Sequence, residues 1–310
     1  MNPENLQTFE VGSEQEGMRL DKFLSVIYSG QSRSFFQKLI RDNKAAVNGI
    51  TSSKNSFTVS EGDVVTVRIP EAVSVDLQPE NIPLDILYED DDLLVVNKPK
   101  GMVVHPSAGH YSGTLVNAVL YHCRDSLSGI NGEIRPGIVH RIDKDTTGSL
   151  IICKNDFSHL NIADQIKNHS VRRIYEGIVI GNVQEGEGTI DTWIARHPSD
   201  RKKMAVSPAG SGKHAVTHYH VLERLGNYTY MQFQLETGRT HQIRVHMASK
   251  SRPLLGDTVY GPAKQPIKNL HGQTLHAKTI GFIHPRTGTY IEVEAPLPGY
   301  FTELLEKFRF

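Results

Sequence analysis

The sequence predicts an α+β fold with a mixed sheet, preceded by a small α/β unit at the N-terminus. Short apolar runs bounded by glycine and proline, which are typical of strands, outnumber helical patterns over most of the chain. The two kinds of pattern do not alternate regularly, and this argues against a doubly wound sheet. The clearest predicted strands cover residues 93–96, 150–152, 175–180, 231–235 and 290–293.

The small unit is predicted over residues 17–70, where two short helical patterns precede strand patterns. The apolar residues at helical spacing are Leu20, Phe23, Leu24, Ile27, Phe36, Leu39 and Ile40. Asn48 and Gly49 form the strongest short-range turn signal, and residues 64–69 read as a strand. The basic residues in or beside the helices are Arg19, Lys22, Arg33, Lys38, Arg41 and Lys44.

Residues 71–84 carry two prolines and no helical periodicity, and therefore predict a linker. The remaining residues, 85–310, are long enough for a larger domain with its own core. Its best helical patterns cover residues 114–122, 157–167 and 240–249.

The formal net charge is zero, with 34 basic and 34 acidic residues, but the charge is unevenly distributed. Residues 17–70 hold eight Lys/Arg against four Asp/Glu, and residues 134–260 hold seventeen against twelve. Residues 71–133 hold three against ten. Phosphate binding depends on local patches, so this pattern permits an RNA partner without demonstrating one. Scattered surface charge is the alternative.

Composition indicates a cytoplasmic protein. No stretch approaches the roughly 20 apolar residues that a membrane span needs, and the N-terminus lacks the basic and apolar regions of a secretory signal. Cys123 and Cys153 show no metal-ligand spacing, which favours a reducing compartment without disulfides.

The densest polar cluster lies immediately before the predicted strand at residues 150–152. His140, Arg141, Asp143, Asp145 and two threonines fall within eight residues there. A loop that is held in place by an adjoining strand can present such groups to a substrate. A solvated turn is the alternative that the cluster alone leaves open.

A second cluster, TGRTHQIRVH, covers residues 237–246. If a helix starts at Thr240, the side chains of His241 and Arg244 share one face. A basic helix face in solvent explains the pattern equally well.

Other motifs fail on spacing. Ile142 interrupts the tripeptide of a kinase catalytic loop. His214 occupies the Ser/Thr position of a phosphate-binding loop. His241 and His246 lack the arrangement of a zinc protease. We therefore expect no metal and no cofactor.

The ordered motifs together resemble the RluA family of pseudouridine synthases, in the branch with an N-terminal S4-like RNA-binding domain. The resemblance covers residues 17 to about 305, and the segment GIVHRIDKDTTG at residues 137–148 is its most specific motif. The S4-like motifs are RLDKFL (19–24), SRS (32–34), VNG (47–49) and GD (62–63). The others are VVNKPKG (95–101), VHP (104–106), TGRTHQIRVH (237–246), GD (256–257), YG (260–261), LHA (275–277), HP (284–285) and APLP (295–298).

The resemblance implies a mixed, mainly antiparallel synthase core and a role for each matching residue. Asp143 matches the catalytic aspartate, and Arg244 matches the arginine that pairs with it. Tyr175 matches the tyrosine that stacks on the target uracil. Arg141 matches the arginine that displaces the base, and Ile243 matches the apolar residue near the ring.

The expected RNA contacts include further basic residues. Arg239 and His241 belong to the second core motif, and Arg33 and Lys38 belong to the S4-like unit. Arg173 departs from the family pattern, because many members have lysine two positions before the tyrosine.

The sequence thus predicts a monomeric RNA pseudouridine synthase that acts on structured RNA, with large-subunit ribosomal RNA as the expected substrate. Asp143 must be ionised for the reaction, whether it attacks C1′ or removes the C2′ proton. The alternatives are a non-catalytic ribosome-assembly factor, a tRNA-directed synthase, and a nucleoside or glycoside hydrolase.

Overall fold

The structure, a computed structural model, describes residues 5–28, 33–52, 54–69, 77–106, 111–124, 127–128, 136–200 and 202–309. The chain divides into two compact units, Met1–Ser74 and Val75–Phe310. Residues 71–76 of the predicted linker lie outside the described residues.

The first unit pairs a four-stranded antiparallel sheet with two helices, and the sheet order is β1-β4-β2-β3. Its elements are β1 (Asn5–Glu10), α1 (Leu20–Ile27), α2 (Arg33–Arg41), β2 (Ala45–Val47), β3 (Ile50–Thr51) and β4 (Val64–Ile69). Strand β1 precedes residue 17 and pairs along the whole of β4. The apolar faces of both helices pack on the sheet around Phe23 and Phe36, which are fully buried.

The predicted turn between β2 and β3 is present. Asn48 and Gly49 adopt φ values of 50° and 78°, the left-handed conformation that such a hairpin turn requires. The Asn48 side chain accepts a hydrogen bond from the backbone N–H of Val64 at 2.8 Å and donates to Asp63 at 2.7 Å. The turn is therefore tied to the start of β4.

The second unit is built on a ten-stranded sheet in the order β10-β9-β11-β12-β8-β13-β7-β6-β5, with β14 paired to β13. The strands are β5 (Ile86–Glu89), β6 (Leu93–Lys98), β7 (Thr147–Cys153), β8 (Arg172–Ile180), β9 (Glu187–Arg196), β10 (Met204–Ser207), β11 (Lys213–Leu225), β12 (Tyr228–Leu235), β13 (Leu275–Ile283) and β14 (Tyr290–Glu294). Strands β7 and β13 pair in parallel, and the other pairings among the described strands are antiparallel. The predicted α+β class with a mixed, mainly antiparallel sheet is confirmed.

The helices of this unit cover both faces of the sheet. They are α3 (Leu115–Cys123), α4 (Asp156–Lys167), α5 (Gln242–Ser249) and α6 (Gly299–Arg309). Along β6, Leu94 and Val96 pack in the cluster with α3, whereas Leu93 and Val95 pack in the cluster with α4. Because side chains alternate along a strand, a strand with both faces covered reads as a continuous apolar run.

Helix α5 begins two residues later than the sequence indicated, at Gln242 rather than Thr240. The preceding backbone turns, because the Gln242 side-chain oxygen accepts hydrogen bonds from Arg239 N–H at 2.9 Å and Thr237 Oγ1 at 2.8 Å. His241 is consequently the N-cap residue, in the left-handed conformation with φ 58°. The expectation that His241 and Arg244 share a helix face was therefore wrong.

The parallel contact between β7 and β13 depends on Gly148. This residue has φ 106°, and a Cβ placed on it would lie 2.3 Å from the carbonyl oxygen of Ala277. Thr147 Oγ1 lies 2.7 Å from His276 Nδ1, which adds a buried polar link between the two strands. Glycine is required here by both conformation and space.

Both cysteines, Cys123 and Cys153, are buried, and they are not joined in a disulfide. No helix among the described residues combines the length and hydrophobicity of a membrane span.

Candidate active site

The loop that carries Asp143 ends where β7 begins, and a buried lysine supports it. Lys98 Nζ donates a hydrogen bond of 2.9 Å to the carbonyl oxygen of Lys144, the residue after Asp143. The same amine donates to the carbonyl oxygens of Pro99 and Met102 at 2.8 and 2.9 Å. Burial lowers the pKa of Lys98 to about 7. These bonds fix the loop backbone beside the candidate catalytic residue.

Asp143 and Arg244, which are far apart in the sequence, meet in a cleft. Arg244 Nη1 donates to Asp143 Oδ2 at 2.8 Å, and the Asp143 side chain is 20% exposed. Arg244 Nε and Nη2 donate to the two oxygens of Asp257 at 2.7 and 3.0 Å. Burial alone lowers the pKa of Arg244, but the carboxylates of Asp257 and Asp143 raise it above its ordinary value. The guanidinium is therefore charged and held by two acids.

Asp257 is a component of the site that sequence reasoning missed. It is fully buried and also accepts hydrogen bonds from the backbone N–H groups of Val259 and Tyr260, at 2.9 and 3.0 Å. Burial raises the pKa of this carboxyl, but Arg244 and the backbone donors outweigh the burial and hold it low. In the sequence, the only sign of a role for Asp257 was its place in a Gly-Asp motif. The residues next to it do not reveal that it binds Arg244.

His241 lines the same cleft and contacts Tyr260 behind it. His241 Nε2 lies 3.8 Å from Asp143 Oδ1, and its Nδ1 lies 2.8 Å from the Tyr260 hydroxyl. The guanidinium of Arg244 lies 5.1 Å from the centroid of the Tyr260 ring. Burial lowers the pKa of His241, although Asp143 opposes this. Tyr260 is a second residue to which the sequence assigned no role.

The cleft encloses about 370 Å³, including space open to solvent, and its walls combine apolar and polar groups. Tyr175 on β8 and Ile243 on α5 line it and are themselves largely buried. Burial raises the pKa of the Tyr175 phenol, which is therefore protonated at neutral pH. Both residues therefore lie in the cleft that Asp143 also lines.

Two predicted RNA-binding arginines also line the cleft. Arg141 is exposed, and its Nη1 lies 3.4 Å from His105 Nε2. Arg239 is half-buried, and its Nε donates to the carbonyl oxygen of His214 at 2.8 Å.

The other two predicted RNA-binding residues, Arg33 and Lys38, lie on α2 in the first unit. Arg33 binds the buried carboxylate of Asp21 through two hydrogen bonds of 3.1 and 3.0 Å. Arg19 binds the same carboxylate at 3.1 and 3.2 Å, and Gln37 donates to it at 2.7 Å. Lys38 is exposed. One buried acid therefore holds two half-exposed arginines side by side.

Within the described residues, one group of side chains has metal-like proximity: Asp90, Asp92 and His284. Its oxygens already bind protein donors. Arg286 donates to both oxygens of Asp92 at 2.6 and 2.5 Å, and His284 Nε2 lies 2.7 Å from Asp90. Hydrogen bonding to Arg286 lowers the pKa of Asp92 to about 2. The group is accounted for as an ion-pair network.

Comparison with known proteins places this geometry in a family. A model of the RNA pseudouridylate synthase family matches residues 92–249, and a model of the S4 domain matches residues 18–65. An uncharacterized RNA pseudouridine synthase of Bacillus subtilis, YlyB, is 51% identical over 296 residues, which is 96% of each chain. The ribosomal large subunit pseudouridine synthase D of Zymomonas mobilis is 45% identical over 292 residues, 92% of each chain.

A solved structure shares the fold. The human RNA pseudouridylate synthase domain containing 1 protein superposes with a TM-score of 0.57 and 23% identity, over 74% of this chain and 96% of its own. With relatives of such identity matching nearly end to end, the chain belongs to the RNA pseudouridine synthases, isomerases that act on uridine in RNA, and it carries an S4 domain at its N-terminus.

Proposed function

We propose that this synthase modifies uridines of large-subunit ribosomal RNA and that Asp143 is its catalytic carboxylate. The observation that supports this best is the pairing of Asp143 with Arg244 at 2.8 Å within a cleft that Tyr175 and Ile243 also line. A carboxylate that is partly exposed yet beside a fixed guanidinium is suited to reaction with a ribose.

The ionised form of Asp143 is the form that the chemistry requires. Arg244 places a positive charge 2.8 Å from Asp143 Oδ2, and Asp257 holds Arg244 in place through two further hydrogen bonds. Asp143 therefore stays available to attack C1′ or to remove the C2′ proton.

The reaction breaks the N1–C1′ bond, turns the uracil within the site and joins C5 to C1′. The C5 proton then leaves to solvent, and N1 takes up a proton in its place. A stacked base cannot reach a carboxylate in a cleft, so the nucleotide must flip out, at a cost of a few kcal/mol. Arg141, exposed at the cleft, is the residue we assign to displacing the base. Tyr175 and Ile243 then pack against the ring, and the protonated phenol favours stacking.

The choice of ribosomal RNA is supported by relatives. Several named ribosomal large subunit pseudouridine synthase D are 39% to 45% identical to this chain over most of its length. We propose that residues 17–70 form the RNA-binding domain, that 71–84 link it to a catalytic domain at 85–310, and that Arg33 and Lys38 contact phosphates. Phosphate contacts position the RNA, and the catalytic domain then selects the uridine.

The test measures tritium release from transcripts that carry uridine tritiated at C5, using large-subunit ribosomal RNA and, separately, tRNA. We expect release from the ribosomal transcript without free uracil. Asp143→Asn should lower the rate at least about 10³-fold while RNA affinity is kept. Asp145→Asn, a matched neutralisation in the same loop, should retain most activity.

Each rival function gives a different result in this assay. Free uracil would indicate a hydrolase, and release from tRNA alone would move the substrate to tRNA. Turnover by Asp143→Asn close to that of the unaltered protein would remove Asp143 from the reaction.

A further inference from the structure

A second cavity adjoins the active-site cleft and shares a wall with it. It encloses about 1120 Å³, including space open to solvent, and lies between the end of α4, the start of β8 and the turn before α5. Four residues, Arg141, Tyr175, Leu235 and Arg239, line both spaces. A group held in the second cavity would therefore lie next to whatever occupies the cleft.

The lining of this cavity is cationic. Arg141, Lys167, Arg173 and Arg239 contribute to it, and its described lining residues include neither aspartate nor glutamate. His140 also lines it but is neutral, because burial and the nearby Arg173 lower its pKa to about 3. The positive charge therefore comes from lysine and arginine, which remain charged at neutral pH.

Arg173 is the unusual member of this set. It is only 7% exposed, and its Nη2 donates to the carbonyl oxygen of Glu236 at 2.8 Å. Its Nε is buried without a hydrogen-bond partner among the described residues. A buried cation with a free donor is costly unless an anion meets it.

Glycine at position 238 leaves room for this side chain, since a Cβ there would lie 2.7 Å from Arg173 Nη1. The guanidinium thus occupies a space shaped for it.

We propose that this cavity binds a phosphate of the RNA backbone next to the flipped uridine, with Arg173 as the buried ligand and Arg141 and Arg239 at its sides. The inference rests on the proposed function of the neighbouring cleft and adds to it a second anchoring point. A phosphodiester supplies both the negative charge and the acceptor oxygens that arginine recognises. Anchoring a flanking phosphate holds the strand while the base turns.

The test compares Arg173→Met with Arg172→Met. Methionine keeps most of the buried volume and removes the charge. Arg172 is the neighbouring residue on the same strand, exposed and paired with Glu292 at 2.9 Å, and therefore serves as the control. Binding of a stem–loop RNA that the protein modifies is measured against salt concentration.

We expect Arg173→Met to bind about tenfold more weakly and to lower the slope of log affinity against log salt by about 0.7, the value for one single-strand phosphate contact. Arg172→Met should match the unaltered protein. RNAs with a neutral methylphosphonate at one position at a time locate the contact. One position next to the target should weaken binding to the unaltered protein and have no further effect on Arg173→Met.

Equal affinity and equal slope for Arg173→Met would overturn the proposal, and so would methylphosphonate effects that persist in that variant. Arg173→Lys is a further variant that keeps the charge. If Arg173→Met does not fold, Arg239→Met is measured instead, by the same salt dependence of affinity and the same series of methylphosphonate RNAs. If the unaltered protein releases no tritium from any RNA, the proposed function fails, and the phosphate site is tested independently of it. Inorganic phosphate is titrated into the protein and followed by ³¹P NMR. Phosphate binding that is lost in Arg173→Met supports the phosphate site, and no phosphate binding by the unaltered protein overturns it.

Discussion

At the scale of single residues, the central feature is one guanidinium shared by two acids. Asp257 is fully buried, and its oxygens accept four hydrogen bonds from Arg244, Val259 and Tyr260. Asp143 accepts one bond from Arg244 and remains partly open to the cleft. Two carboxylates thus face one guanidinium, so the set of Asp143, Asp257 and Arg244 has a net negative charge when both acids are ionised. On the proposed assignment, that charge opposes the electron deficiency that develops at C1′.

Removing the buried acid should therefore affect both folding and chemistry. We expect Asp257→Asn to lower the free energy of unfolding by about 3–5 kcal/mol, because it leaves Arg244 buried with one partner fewer. The rate of tritium release at saturating RNA should fall more than RNA affinity does. Denaturant unfolding and the release assay measure the two effects.

Asp191→Asn provides the control, because Asp191 is an exposed carboxylate paired with His214. Its effect on stability should stay within about 0.5–1 kcal/mol. If Asp257→Asn were equally mild and fully active, the positioning role of Asp257 would be wrong.

Asp21 in the first unit predicts a specific pH dependence. Burial raises the pKa of Asp21, but hydrogen bonds from Arg33, Gln37 and Arg19 outweigh the burial and hold the pKa well below its usual value. Asp21 therefore binds a proton more readily in the unfolded state than in the folded state. Its contribution to the stability of the first unit is complete above about pH 5 and is lost as the pH falls below about 4.

Hydrogen exchange in α1 and α2 of the full chain, corrected for intrinsic rates, should show this loss between pH 5 and pH 3. Asp21→Asn should weaken protection at neutral pH and remove that part of the acid dependence. Asp63→Asn, which changes a half-buried carboxylate of the same unit, should leave more of the acid dependence in place. An unchanged acid profile in Asp21→Asn would contradict the assignment.

At the scale of elements, the site is held by contacts between strands and helices far apart in the chain. Lys98 at the end of β6 supports the loop of Asp143, and Gly148 allows β7 to approach β13. Gln242 at the start of α5 donates to the carbonyl oxygen of Val216 at 2.9 Å and to Thr217 Oγ1 at 3.0 Å. These links set the separation of Asp143 and Arg244, which lie on different elements.

Gly148→Ala tests this arrangement. The added methyl group must displace the backbone of Ala277 and adopt an unfavourable φ, so we expect a loss of about 2–4 kcal/mol in unfolding free energy and reduced activity. Gly299→Ala, at the first residue of α6, meets nothing within 4 Å. That control should stay within about 1 kcal/mol of the original, in either direction. Equal stability of the two variants would show that β7 and β13 can separate without cost.

The sequence predicted elements best where local pattern is strong. Helices α3 and α4 were expected within a residue of their bounds, because their apolar spacing is clear. Strand β1 and helix α6 were not singled out. Leu6 on β1 stays exposed, and α6 packs by Phe301, Leu304 and Leu305 on strands far away in the chain.

The site residues likewise divide into those that local sequence pattern predicts and those that depend on distant contacts. The motif around Asp143 was legible because its polar residues are adjacent in sequence. The part played by Asp257 depends on a side chain thirteen positions away and a left-handed residue before α5, and tertiary contacts decide both. In the sequence, Arg173 was notable only as a departure from a family pattern. That its Nε has no hydrogen-bond partner within the described part of the chain is visible only in three dimensions.

At the scale of the whole molecule, each unit has its own core. The first unit packs thirteen buried apolar residues between Val11 and Ile69. The second contains separate clusters on both faces of its sheet, whose buried residues all lie at position 93 or later. Cores that do not draw on one another favour independent folding.

A fragment of residues 77–310 should therefore fold. We expect its denaturant midpoint to match a transition of the full chain, and its rate at saturating RNA to stay within about threefold, while KM rises about tenfold or more from lost phosphate contacts. Circular dichroism and tritium release provide the readouts. A fragment that aggregates or lacks a cooperative transition would mean that the second unit needs the first.

The two native thiols have a practical consequence. Burial raises the pKa of Cys123 to about 11 and raises that of Cys153 as well, and neither is open to solvent. Maleimide reagents require an accessible thiolate, so the native chain should resist labelling. Cysteines introduced at the exposed positions Ser56 and Glu303 would then accept a donor and an acceptor dye, and single-molecule energy transfer could follow the distance between the units as RNA binds.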